Sequence, residues 1–328
     1  MTLQIAEYLL AAAMAFVVIA LIVNLVALTA RKKPASSAKK ATVAADDDEA
    51  VVEELAVVGA GAQDAAVGTD DGARPVLPPE KPDEAPAKPA PARKGTGITM
   101  FGTAFAVIAL VLLTAYLGVR MAITGHGPFA NQHEFAVSFC WGIMIAYVFA
   151  LWRFKIRVLS VVILPVVACL LVYAMRLDSG VQPLVPALQN NLLLTLHVGF
   201  AIVSYGAACV SFAAAIIYLI YPRLKLKVSR ERFDEVGYKA AVVTFPLMTM
   251  MLIFGALWAE TAWGSYWSWD PKETAALVTW LMYAGYLHAR VARGWRGTRS
   301  AWLLIIGFAA VMFAYFGNEF FGGLHSYG

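Results

Sequence analysis

The sequence predicts an all-α integral membrane protein of about eight transmembrane helices, and three observations predict it. Hydrophobic residues make up 60% of the 328, and the mean hydropathy is +0.66. Only 15% of the residues are charged, against about 25% in soluble globular domains, so the chain lacks the polar surface of one. Eight stretches, each close to the ~20 residues a helix needs to cross hydrocarbon, contain no Asp, Glu, Lys or Arg: 8–28, 100–119, 135–152, 158–175, 192–221, 242–258, 274–289 and 300–318. In hydrocarbon every backbone group must be satisfied within its own segment, and no period-two alternation supports a barrel, so each stretch reads as a helix.

Taken in order, the elements alternate in sidedness. Residues 1–28 read as a first span and not a cleaved signal peptide, because Arg31, Lys32 and Lys33 follow the apolar run and no basic residue precedes it. Residues 31–95 hold eight prolines, ten basic and twelve acidic residues, six of the carboxylates between Asp46 and Glu54. Such a composition cannot bury enough apolar surface to offset its ordering entropy, so it reads as a disordered cytoplasmic linker. The third and fourth spans are joined through Arg153, Lys155 and Arg157, the fifth and sixth through six basic residues from Arg223 to Lys239, and the seventh and eighth through four arginines. The alternate loops hold only Arg120, Arg176 and Lys272. Lys and Arg mark the cytoplasmic side, so the N-terminus, the sparse loops and the C-terminal tail are expected outside. The domains expected are a first helix at 1–30, the linker at 31–95 and a seven-helix core at 96–328. The +4 formal charge lies in these flanking loops and indicates membrane, not nucleic acid.

Chemistry-bearing residues gather on the outer face. Four tryptophans, at 258, 263, 267 and 269, fall within twelve residues of the loop at 258–273, whose motif reads WGSYWSWDPKET from Trp263 to Thr274. Indole faces stack on π-systems and exclude water, so the loop reads either as a shelf for a large planar ligand or as an interfacial anchor. Asp270, Pro271 and Glu273 fit the N-cap, first and third positions of the seventh helix, and a cap alone accounts for them. Ionisable groups at the edge of a span are functional candidates. His197 lies near the outer end of the fifth span and His325 in the tail NEFFGGLHSYG, both within reach of the tryptophan loop. Paired imidazoles are a recurrent axial set for haem iron, while each histidine alone reads as a hydrogen-bonded interfacial residue. His126 and His133, in GHGPFANQHE, stay with that plainer account. His288 lies about 25 Å along its helix from Pro271, near the cytoplasmic side, and serves a deeper site or none.

Other chemistries find no support. There is no GxSxG, GxxxxGK[ST] or HExxH motif. The three cysteines, Cys140, Cys169 and Cys209, lie in apolar runs and form neither CxxC nor CxxCH.

Four segments in order, GHGPFANQHEF from Gly125, LLTLHVGF from Leu193, WDPKETAALVTWLMYAGYLHAR from Trp269 and the terminal GGLHSYG, resemble the tryptophan-rich haem-handling membrane proteins of cytochrome c biogenesis. Within that superfamily the likeness is to the CcsA/ResC branch, called CcsB in bacteria that pair it with a ResB-type subunit, and it covers about residues 98–328. The resemblance implies His197 and His325 as axial ligands of haem b iron on the outer face. It implies Trp263, Trp267, Trp269 and Asp270 as the adjoining platform, and His288 as an intramembrane ligand whose partner comes from the ResB-type subunit. His133 stands where relatives carry tyrosine, against a ligand role there. The implied function is system II cytochrome c biogenesis at the plasma (inner) membrane: export of haem and its presentation to the CxxCH of an apocytochrome c, with a thioredoxin-like thiol reductant as a further partner. Cysteine thiols add across the vinyl groups while the CxxCH histidine displaces one protein ligand. The protein supplies orientation and proximity, and needs no acid or base of its own. Haem propionates call for cationic partners, and Lys272 or Arg176 is expected to neutralise one unless both merely snorkel. Two other readings of the residues stay open here, a transporter of another planar or amphipathic solute and a structural anchor of a membrane complex. Bound haem with a bis-histidine spectrum separates the first from both, and silent histidine variants mark the anchor.

Overall fold

A computed structural model describes residues 3–30, 97–181, 184–189, 192–224 and 226–325. The linker read at 31–95 lies outside the described residues. Eight α-helices follow in order: α1 (Leu3–Ala30), α2 (Gly97–Thr124), α3 (Gln132–Phe154), α4 (Ser160–Arg176), α5 (Leu192–Ile220), α6 (Arg230–Trp263), α7 (Pro271–Ala292) and α8 (Thr298–Phe321). Six contain a whole uncharged stretch, α4 begins two residues into 158–175 and α5 ends one residue short of 192–221, and all eight belong to one compact unit. Among the described residues, seven helices are long and apolar enough to cross a membrane. The chain is therefore an all-α, multi-pass membrane protein. The seventh stretch differs: α7 is helical over 22 residues, about 33 Å at 1.5 Å per residue. Lys272, Glu273 and Arg290 close in on its short uncharged run and dilute its apolarity.

Local chemistry sets the helix ends. Asn131 caps α3 by accepting from the Glu134 N–H at 2.9 Å, and Gly264 ends α6 at a φ of 73°, its N–H returning to the Glu260 carbonyl. Asp270 and Glu273 form a capping box on α7. α5 is the central helix, packed by α6, α3, α8 and α4. In a bilayer, close approach of small residues does what the hydrophobic effect does in water. A Cβ at Gly206 of α5 would lie 2.4 Å from the Gly142 carbonyl of α3, so backbone meets backbone there.

Two buried polar knots tie opposite ends of the bundle. At one, Arg120 donates to Glu134 at 2.8 Å, both side chains 1% exposed, and to the Ser179 and Gly180 carbonyls. Beside it the Tyr116 hydroxyl meets His133 Nε2 at 2.6 Å while His133 Nδ1 meets the Ala174 carbonyl at 2.8 Å. Both ring nitrogens of His133 are thus engaged in packing α2, α3 and α4 together. At the other end Arg290 pairs with Asp234 at 2.7 Å, and the Gly297 N–H reaches the same carboxylate, joining α6, α7 and the start of α8.

Candidate functional site

At the end of the bundle that carries the α3 and α7 caps, a cavity of about 570 Å³ opens between α3, α5, α6, α7, α8 and the C-terminal tail, within the range of about 300–1,000 Å³ usual for ligand sites. His197 and His325 both line it, with Phe135, Trp258, Trp267 and Lys272 among their neighbours.

His197 is set by α6. Its Nδ1 lies 2.8 Å from the Met251 carbonyl, so Nδ1 carries the proton and Nε2 is the nitrogen with the lone pair. A Cβ at Gly255 would fall 2.6 Å from that Nδ1, so only glycine lets α6 come this close. Trp258 stacks nearly parallel to the imidazole, 6.2 Å between centroids and 12° between planes, and is itself pinned by a bond from Nε1 to the Ala187 carbonyl at 3.1 Å.

His325 is set by the α7 cap. Asp270 Oδ1 accepts from the Lys272 N–H and from His325 Nδ1, each at 2.9 Å, while Oδ2 accepts from the Leu324 N–H at 2.7 Å. The residue that starts α7 therefore also holds the tail. Trp263 meets His325 edge-on at 4.8 Å and Trp258 at 4.7 Å, which places both imidazoles around one pair of indoles. Burial, with the Lys272 ammonium nearby, lowers the His325 pKa although Asp270 opposes it. Burial would raise the Asp270 carboxyl, but the Lys272 N–H, His325 and the Leu324 N–H together bring it down.

Paired imidazoles are a donor set that would suit a haem iron. Each imidazole gives its Nδ1 proton to a carbonyl or carboxylate, the arrangement that orients a metal-binding histidine and raises its basicity, and aromatic rings line the same cavity.

The remaining sequence candidates are placed less centrally. Trp267 lines the cavity and meets Trp269 edge-on at 5.8 Å. Trp269 is 70% exposed with a φ of 60°, a left-handed backbone that is uncommon outside glycine, and it does not line the cavity. Nor does His288, exposed on α7, nor His126, whose Nδ1 bonds the Gly127 carbonyl. Sequence reasoning did not find Phe129, Phe135, Met251, Gly255 or Tyr315, which complete the walls. Gly255, an isolated glycine within an apolar helix, was the one available signal of close packing. Met251 acts through its backbone and left none.

Fold and site together define a multi-pass helical membrane protein with an aromatic cavity that two oriented imidazoles line. The chain belongs to the cytochrome c assembly protein family, whose model matches residues 129–325. It is similar to the cytochrome c biogenesis protein CcsA of Guillardia theta, 32% identical over 266 residues, 72% of this chain and 88% of the relative. It is also similar to the CcsA proteins of Microcystis aeruginosa (34% over 286 residues, 69% and 87%) and Heterosigma akashiwo (36% over 269 residues, 68% and 83%). The chain thus acts in cytochrome c biogenesis, a pathway that serves apocytochrome c, and its family implies haem handling. The matched segment starts at Phe129 and ends at His325, the first and last of the described residues that line the cavity.

Proposed function

We propose that the cavity receives haem b as cargo, with His197 and His325 as axial ligands, and presents it on the extracytoplasmic face of the plasma membrane for attachment to an apocytochrome c CxxCH by the system II route. The observation that carries this reading is the pair of imidazoles, from α5 and from the tail, each with Nδ1 committed to an acceptor and both lining one aromatic cavity. Trp258, Trp263 and Trp267 supply ring faces and edges beside the site, and the exposed Trp269 meets Trp267 edge-on.

In this reading the chain holds and orients, while haem and peptide supply the reacting bonds. Each cysteine S–H adds across a vinyl C=C, sulfur to one carbon and hydrogen to the other, so nothing leaves and no side chain of this protein must move a proton. Fixing cargo and peptide in register removes the entropic part of the barrier. The termini and the Trp-rich loop lie outside, the basic loops inside, and a ResB-type subunit and a thioredoxin-like reductant complete the complex. His288, away from the cavity, awaits a ligand from that subunit or serves none. The domain division is a first helix at 1–30, a linker at 31–95 and the haem-handling core at 96–328.

Absorption spectra of the purified protein, wild type and His197→Ala/His325→Ala, test the assignment. Reduced low-spin bands in the wild type that vanish in the double variant are the expected result. Bands that persist would move the ligands elsewhere, and a wild type that never takes up haem would return the tryptophan loop to the role of an anchor.

A further inference from the structure

Of the three cations in the sparse loops, Lys272 and Arg176 are the two expected to meet an acidic ligand, and their surroundings separate them. Arg120 is spent on Glu134 and on the Ser179 and Gly180 carbonyls. Arg176 is exposed at the end of α4 and lines no part of the cavity. Lys272 lines it, with Nζ 5.3 Å from the centroid of the Phe135 ring. Among the described residues Lys272 Nζ has no carboxylate within ion-pair distance and no hydrogen-bond acceptor. The two nearby carboxylates are taken: Asp270 by the Lys272 and Leu324 N–H groups and His325, Glu273 by the Ser268 N–H and hydroxyl and the Asp270 N–H. An ammonium in an apolar cavity costs desolvation energy unless an anion joins it, and a ring face compensates only part of that.

We propose that Lys272 is the counter-ion for a carboxylate of the ligand that fills this cavity, so that the site selects a planar ligand bearing an acid group on one edge. The proposal rests on the haem reading above and adds to it. With the iron between His197 and His325, a propionate held at Lys272 sets the rotation of the porphyrin in its own plane, and its vinyl edge is turned the same way in every bound molecule.

The test compares haemin with its dimethyl ester, which keeps the ring, the iron and the vinyl groups and removes both negative charges. Each is titrated into the detergent-purified full chain, wild type, Lys272→Met and Lys272→Arg, with affinity read from the low-spin band. A hydrogen bond to a charged group is worth roughly tenfold to a hundredfold in affinity. The wild type is expected to bind the ester weaker than the free acid by about that factor. Lys272→Met is expected to bind acid and ester alike, and Lys272→Arg to keep the preference. Equal affinity of the wild type for acid and ester overturns the proposal and leaves the haem reading standing, with no variant needed to fold. An unchanged preference in Lys272→Met also overturns it. Absence of a low-spin band with either probe overturns the haem reading and the proposal together.

Discussion

Asp270 does two jobs with two oxygens, and they can be pulled apart. Its Oδ1 caps α7 and orients His325, and its Oδ2 holds the tail through the Leu324 N–H. Asparagine caps a helix about as well as aspartate, but its amide nitrogen cannot accept from a tail N–H. Asp270→Asn is therefore expected to melt within about 0.5 kcal/mol of the wild type. It should bind haem roughly tenfold to a hundredfold more weakly, because the tail that carries His325 loses its anchor at the Leu324 N–H and with it the support that fixes this histidine. Circular-dichroism melts and haem titration measure the two effects separately, and undiminished haem affinity would reduce Asp270 to a cap. The motif WDPKE thus reads as a helix start and as part of a site, and both readings describe the same atoms.

Among the helices, α5 carries both the packing and the chemistry. Its small residues let α3 come to backbone contact at Gly206 and Gly142, and His197, about two and a half turns from that contact, meets α6 at the Met251 carbonyl. Gly206→Ala would place a Cβ 2.4 Å from the Gly142 carbonyl. It is expected to destabilise the protein by about 1–3 kcal/mol, as overpacking of a close interface does. Gly199→Ala on the same helix meets nothing within 4 Å and is the control, expected near the wild type in a thermal melt in detergent. Equal melting of the two would show that the α3–α5 approach does not limit stability. α7 makes the opposite trade: it is the least apolar of the eight stretches, yet it carries the capping box and Lys272 into the cavity and bonds α6 through Trp280 Nε1 and Thr249 at 2.8 Å.

At the scale of the molecule, the cavity draws its walls from residues 129 to 325, and nothing described before Phe129 lines it. α1 and α2 lie against each other, with Asn24 filling the space beside Gly102, so the end of α1 and the start of α2 are close. Replacing residues 35–94 by a short Gly/Ser linker is therefore expected to leave the haem spectrum and affinity of the purified protein unchanged. A lost or shifted low-spin band would give the linker a part in the site.

Much was legible without coordinates because it depends on local chemistry. Uncharged runs of bilayer length mark helices wherever they occur, since hydrocarbon leaves the backbone no other way to satisfy itself. A cap of Asp, Pro and Glu announces itself by spacing alone, and a cluster of indoles beside edge histidines marks a candidate site from composition. Which of those residues converge was decided only by the packing of α5 against α6 and the return of the tail onto α7. That packing brought Trp258 against both His197 and His325 and Trp263 against His325, left Trp269 and His288 outside the cavity, and engaged both nitrogens of His133. The physical reason is range: spacing along the chain dictates helices and caps, whereas the Met251 carbonyl at His197, the space at Gly255 and the approach of Lys272 to the Phe135 ring arise from contacts between helices that share no local pattern.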